Sequence, residues 1–158
     1  PADIVVTSSG GSPLDATFYQ CVKGFVSCLP AVKPGGTIVA FGECREGVGS
    51  REFADTMRSY AGRWRAFLED IRRSDRIVKD QWQFQMHTRT LEKVGEQNLW
   101  FVSDRLDRDT LDTLSVQGVA PTKGATARAV QEVFDDSYRA GMRLAVFPEG
   151  PYCAPVDA

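Results

Sequence analysis

Asp3-Ile4-Val5-Val6-Thr7 is followed by Ser8-Ser9-Gly10-Gly11-Ser12-Pro13, and then by Asp15-Ala16-Thr17-Phe18-Tyr19-Gln20-Cys21-Val22-Lys23. The first run is short, apolar and rich in β-branched residues, which reads as a buried strand. The second is a loop whose glycines permit positive φ. Asp15 is placed to cap a helix. Phe18, Cys21, Val22, Phe25 and Leu29 then recur at helical spacing. Pro34-Gly35-Gly36 ends this first strand–helix unit.

Outward from it the alternation continues. Thr37 to Phe41 is a second buried strand, and Gly42 to Gly49 is the loop at its end. Phe53 and Met57 predict a short helix. Trp64, Phe67, Leu68 and Ile71 form the stripe of an amphipathic helix. Asp80 with Gln83 has the spacing of a capping box, opening a helix to about Glu96. Leu99 to Val102 is a third strand, and a short helix spans Thr110 to Leu114. Thr122 to Gly124 is a turn. Val130, Val133, Phe134 and Tyr138 mark a last helix, closed by Gly141, and Leu144 to Phe147 is the fourth strand. Pro148 to Pro155 reads as an extended exit segment.

This order requires crossover connections. The expected fold is α/β: a three-layer, Rossmann-like single domain over residues 1–158, with a mainly parallel sheet of about four strands covered by helices. Ligands in such sheets bind beyond the carboxyl ends of the strands. The loops expected there are Ser8–Asp15, Gly42–Gly49, Ser103–Asp107 and Pro148–Pro155.

Composition narrows the function classes. The chain has 158 residues, 42% hydrophobic and 25% charged, with a net charge of −2. Disordered chains lack this apolar content. No apolar run approaches the ~18 residues of a membrane span. The weak negative charge gives no footprint for nucleic acid or an anionic membrane. The chain begins at Pro1 and is almost at once strand-like, with no signal-peptide pattern, as expected of a piece of a longer protein. Four cysteines, at 21, 28, 44 and 153, form no C-x-x-C pair. Cys21 and Cys28 lie ~10 Å apart along a helix, too far for a disulfide. All four read as free thiols of a reducing, cytoplasmic protein.

Familiar catalytic signatures are missing. There is no G-x-G-x-x-G, no phosphate-binding G-x-x-x-x-G-K-[ST] and no G-x-S-x-G. His87 is the one histidine and sits inside a predicted helix, where a surface or partly packed position is expected. One histidine with scattered cysteines makes no metal site. Arginines from Arg58 to Arg76 alternate with acids, as on a solvated helix face. The first helix is more informative. Tyr19, Gln20 and Lys23 share a face by their i, i+3 and i, i+4 spacing. That face lies away from the stripe of Phe18, Cys21, Val22 and Phe25 and is expected to look toward the strand-end crevice. A glycine-rich loop, a helix N-terminus and a lysine suit a carboxylate or phosphate.

The run Thr7-Ser8-Ser9-Gly10-Gly11-Ser12-Pro13-Leu14-Asp15, followed by Tyr19-Gln20-Cys21-Val22-Lys23-Gly24, resembles the C-terminal domain of the nickel-dependent lactate racemase family. Three more collinear blocks carry the resemblance. They are Lys33-Pro34-Gly35-Gly36-Thr37 leading to Glu43-Cys44-Arg45-Glu46-Gly47-Val48-Gly49, then Asp80-Gln81-Trp82-Gln83, then Pro148-Glu149-Gly150-Pro151-Tyr152.

The resemblance implies the C-terminal domain of a larger two-domain isomerase, a racemase or epimerase of 2-hydroxy acids working by hydride transfer at C2. It implies a nickel-pincer nucleotide cofactor, bound mainly by an N-terminal domain that also carries the cofactor lysine, the nickel ligand and the acid–base histidines. This chain then holds no catalytic residue and no metal ligand, and is inactive alone. Its partners are that N-terminal domain and a small 2-hydroxy carboxylate. On the matching positions Gln20 and Lys23 would contact substrate, Tyr19 would border the cofactor, and Trp82 would wall the pocket. Ser12 and Cys153 depart from residues common in relatives, so lactate is not assumed as substrate. The alternatives are a non-enzymatic ligand-binding domain that keeps the fold without the cofactor, and a Rossmann-like nucleotide-binding enzyme.

Overall fold

The computed structural model describes residues 1–122 and 125–154. Along the chain come β1 (Ala2–Ser8), α1 (Phe18–Ser27), β2 (Val32–Phe41), α2 (Arg51–Ser59), α3 (Trp64–Arg73) and α4 (Gln81–Val94). They are followed by β3 (Leu99–Val102), α5 (Arg108–Leu111), β4 (Gln117–Val119), α6 (Thr126–Ser137) and β5 (Leu144–Phe147). The five strands form one sheet in the order β4-β3-β2-β1-β5. Every pairing is parallel.

The α/β class and the parallel sheet are as expected, with one strand more than the sequence showed. Gln117-Gly118-Val119 is only three residues long and has neither alternation nor an apolar run. It counts as a strand because Trp100 to Val102 of β3 offers it a partner edge. Gly118 has a local reason: a Cβ there would lie 2.5 Å from Cβ of Leu111 in α5.

Alternation along the central strands explains the layers. Val5, Ile38, Ala40, Leu99 and Phe101 face a large core shared with α1, α2, α3 and α4. Ile4, Val39 and Val102 face the opposite way, onto Val133 of α6. Successive side chains of a strand point to opposite faces, so strands covered on both sides are apolar throughout.

Several boundaries differ from the sequence reading. Thr17 caps α1, its hydroxyl accepting from Gln20 N at 3.3 Å. Asp15 instead accepts from the Glu43 backbone N at 3.1 Å, holding the loop after β2. Pro34-Gly35-Gly36 lies inside β2, where the register jumps from Ala2 opposite Val32 to Ile4 opposite Thr37. Asp80 precedes α4 with φ 62° and makes no side-chain cap. Its carboxylate accepts from Ser50 Oγ, while Gln83 donates to the Tyr19 carbonyl, so there is no capping box. The short helix starts earlier, at Arg108, capped by Asp107. The last helix ends at Ser137, and Gly141 lies beyond it at φ 89°. The turn at Thr122–Gly124 falls partly outside the described residues.

The exit segment is a further correction. Within Pro148–Pro155, of which Pro155 lies outside the described residues, Gly150–Tyr152 form a 3-10 turn rather than extended chain. A Cβ at Gly150 would lie 2.2 Å from the Ser8 carbonyl oxygen and 2.5 Å from Thr7 Oγ1. The turn is therefore packed onto the end of β1.

His87 is the largest departure. It is fully buried, ringed by Phe18, Phe25 and Phe84. Its Nε2 lies 2.9 Å from the Leu114 carbonyl oxygen, to which it donates. Burial drives its pKa down to about 4, so the ring is neutral. Its helical position did not reveal this, because four buried rings and a loop carbonyl meet only once the helices pack.

Candidate functional site

Two places need to be distinguished. The first is the cleft at the carboxyl ends of the strands. The chain builds outward from β1 to β4 and then returns to the other side of β1 with β5, so the strand order reverses between β1 and β5. A cleft of about 450 Å³ opens there. All four loops expected at the strand ends line it, through Gly10, Glu43, Ser103 and Glu149 among others.

Its chemistry is not that of an anion site. Asp15, Glu43, Asp104 and Glu149 line it, and among the described residues no lysine or arginine does. Arg105 approaches Glu43 at 3.5 Å and Asp104 at 3.9 Å, but it is not part of the lining. A carboxylate entering this cleft would meet four like charges.

The N-terminus of α1 is also closed to an anion. The Phe18 N–H donates to the Gly47 carbonyl at 3.0 Å and the Tyr19 N–H to the Val48 carbonyl at 2.9 Å. Gln20 N is taken by Thr17. The loop from Gly42 to Gly49 thus folds over the helix start and uses the donors that would otherwise face a ligand.

The second place is the outer side of α1 and α4. Tyr19, Gln20 and Lys23 do not line the strand-end cleft, contrary to expectation, because the folded-over loop stands between. They lie beside the first turn of α4 instead. Lys23 Nζ donates to Gln20 Oε1 at 2.5 Å. The Tyr19 and Trp82 rings meet edge to face, with centroids 5.9 Å apart. Tyr19 also packs edge-on against Phe53, with centroids 5.2 Å apart. Lys23, Trp82, Gln83 and Met86 border a hollow of about 220 Å³. Trp82 is 52% exposed and so is not part of the core.

The supports of this patch come from three helices. Ser50 caps α2 by accepting from Phe53 N and donates to Asp80 Oδ2. Burial and the neighbouring Asp80 carboxylate push the Tyr19 phenol above its ordinary value, so it stays protonated. Sequence reasoning missed Ser50 and Asp80 in this role, and it misread Gln83 as half of a capping box. The Ser–Asp contact spans 30 residues, and no local periodicity reports it.

Among the described residues no group of three or more His, Cys, Asp or Glu is placed to hold a metal ion. His87 Nε2 is engaged, and the ring lies out of reach of any ligand in either place. Among the described residues no helix is long and apolar enough to cross a membrane.

The structure is a parallel α/β domain with an acidic strand-end cleft and a separate cationic–aromatic patch. The chain belongs to the lactate racemase C-terminal domain family, whose model matches residues 1–151. It is 38% identical over 101 residues to the lactate racemase of Thermoanaerobacterium thermosaccharolyticum, covering 58% of this chain and 22% of that protein. It is 29% identical over 153 residues to the lactate racemase of Lactiplantibacillus plantarum, covering 94% of this chain and 33% of that protein. The solved lactate racemase apoprotein from T. thermosaccharolyticum superposes with a TM-score of 0.80 at 24% identity, over 99% of this chain and 36% of the other. That likeness shows a shared fold. The chain thus spans between about a fifth and a third of the curated relatives it matches, and corresponds to the C-terminal part of longer chains.

Proposed function

We propose that this chain is the substrate-holding C-terminal domain of a 2-hydroxy-acid racemase or epimerase that interconverts configurations at C2. The observation that carries this reading is the Lys23–Gln20 pair beside the Tyr19–Trp82 edge contact, on one outer face of the domain. The named activity of the relatives supports it.

A 2-hydroxy acid arrives as a carboxylate. Lys23 supplies an ammonium charge, and the bond to Gln20 uses only one of its three N–H donors. Gln20 accepts that bond through Oε1, which orients its amide N–H groups toward a hydroxyl or a carboxylate oxygen. Trp82 and Tyr19 wall the place with rings that meet edge to face. In this reading Tyr19 borders the cofactor of the resembling family, the nickel-pincer nucleotide. That group, the hydride acceptance it supplies and the acid–base chemistry belong to an N-terminal domain of the same longer chain. This chain binds and orients. In this reading its one histidine, buried and neutral, takes no part in proton transfer.

The test is Lys23→Ala in the full-length, cofactor-loaded protein. Loss of a charge-assisted contact is worth ~1.5–3 kcal/mol, about tenfold to a hundredfold in kcat/KM. The expected result is that loss with a nearly unchanged Tm, and a smaller loss for Gln20→Ala. Near-wild-type kinetics for the Lys23 variant would refute the assignment.

A further inference from the structure

Cys21 and Cys44 are both buried free thiols, and their Sγ atoms lie 3.8 Å apart. Cys21 is on α1, on the side away from Tyr19, Gln20 and Lys23. Cys44 is in the loop after β2, with φ 55°. The backbone around the pair is tied down. Cys44 N donates to the Asp15 carbonyl at 2.8 Å, Glu46 N to the Ala16 carbonyl at 2.8 Å, and Tyr19 N to the Val48 carbonyl at 2.9 Å. On another side of Cys21 the space is closed, since a Cβ at Gly42 would lie 2.4 Å from its Sγ. The two sulfurs are thus held in direct contact by a loop bonded to the start of the helix.

We propose that Cys21 and Cys44 form a modification site, a dithiol that closes to an intramolecular disulfide under a peroxide or a low-molecular-weight disulfide. With hydrogen peroxide, one thiol attacks the O–O bond, giving a sulfenic acid and one water. The second sulfur then displaces the hydroxyl, which leaves as a second water, and the S–S bond forms. Two thiols lose two protons and two electrons, and one peroxide is reduced to two waters. With a small disulfide, two exchange steps release two small thiols.

Closure brings the sulfurs from 3.8 Å to about 2.05 Å. Whatever part of that displacement the two side chains do not take up by rotation draws α1 and the loop from Gly42 to Gly49 together. The same loop bonds the N–H groups of Phe18 and Tyr19, so the movement is delivered to the turn that carries Tyr19 and Gln20. The sulfur–sulfur hydrogen bond and burial push the Cys44 thiol far above its ordinary pKa, with the Asp15 carboxylate adding to this and the Ser103 hydroxyl opposing it. Cys44 therefore stays in its thiol form at neutral pH. Cys28 is engaged elsewhere, its Sγ donating to the Phe25 carbonyl.

The experiment exposes the full-length protein to hydrogen peroxide or oxidised glutathione for increasing times, blocks remaining thiols by alkylation, and digests without reductant. The expected product is a peptide pair joined through Cys21 and Cys44, lighter by two hydrogens, separated by dithiothreitol and absent in Cys44→Ser. Recovery of both cysteines as alkylated thiols after Cys153 has been fully oxidised overturns the proposal. So does Cys21 joined to another cysteine. The consequence for the site rests on the proposed function and is read separately. Oxidised, cofactor-loaded enzyme should lose 2-hydroxy-acid racemisation, regain it on reduction, and keep it throughout in Cys44→Ser. Unchanged kinetics in crosslinked enzyme overturn the coupling to Tyr19 and Gln20. The peptide measurement needs no turnover, so failure of the racemase reading leaves it standing.

Discussion

Gln83, in the first turn of α4, donates its side-chain amide to the backbone carbonyl of Tyr19 in the first turn of α1. The two residues are 64 apart in sequence, and this bond sets Trp82 against the Tyr19 ring. Gln83 is 1% exposed. Gln83→Leu keeps the volume and removes the donor, which should cost about 1 kcal/mol of stability. It should also raise KM for a 2-hydroxy acid, because Trp82 loses its registration on Tyr19. Urea unfolding and steady-state kinetics on the full-length protein measure the two effects. A destabilised variant with unchanged KM would show that the tether serves packing alone.

Trp82→Ala separates a wall from a core residue. Emptying a buried large aromatic costs ~3–5 kcal/mol. Because Trp82 is 52% exposed, the expected loss is about 1 kcal/mol or less. The effect should fall on KM or on preference among 2-hydroxy acids of different size. A loss of several kcal/mol with normal kinetics would contradict the pocket role.

His87 makes stability depend on pH in a stated direction. Its pKa falls from 6.5 in the unfolded chain to about 4 in the folded one. Between those values the unfolded state holds a proton that the native state does not, so stability rises with pH. The contribution is complete above pH 6.5 and is lost on acidification toward pH 4. It amounts to roughly 3 kcal/mol. Denaturant midpoints of wild type and His87→Gln, compared from pH 7 downward, should converge as the pH falls. Parallel curves would mean that the ring is not held neutral in the fold.

Gly24 and Gly150 converge on the same carbonyl. A Cβ at Gly24 would lie 2.7 Å from the Ser8 oxygen, and one at Gly150 only 2.2 Å from it. A glycine inside a helix is otherwise unfavourable by about 1 kcal/mol, so close approach of α1 to β1 is the reason for Gly24. Either alanine substitution should destabilise by about 1–3 kcal/mol, the Gly150 change more. The double variant should lose less than the two single losses together, since both displace Ser8. Strict additivity in urea unfolding would show independent causes.

The sequence by itself determined the α/β class, four of the five strands, the four strand-end loops and the shared face of Tyr19, Gln20 and Lys23. Each of these is a periodicity or a turn signal within one element, which burial imposes directly on residue type. It also carried the family through collinear blocks. Only the tertiary structure decided the rest. β4 exists because β3 offers it an edge. The carboxylates of Asp15, Glu43, Asp104 and Glu149 gather into one cleft because the sheet order reverses beside β1. The polar face of α1 looks toward Trp82 rather than into that cleft, because the loop from Gly42 to Gly49 closes over the helix start. His87 is buried, and Cys21 meets Cys44, through contacts between segments far apart in the chain. Such contacts follow from sheet order and helix packing, and local residue patterns do not encode them.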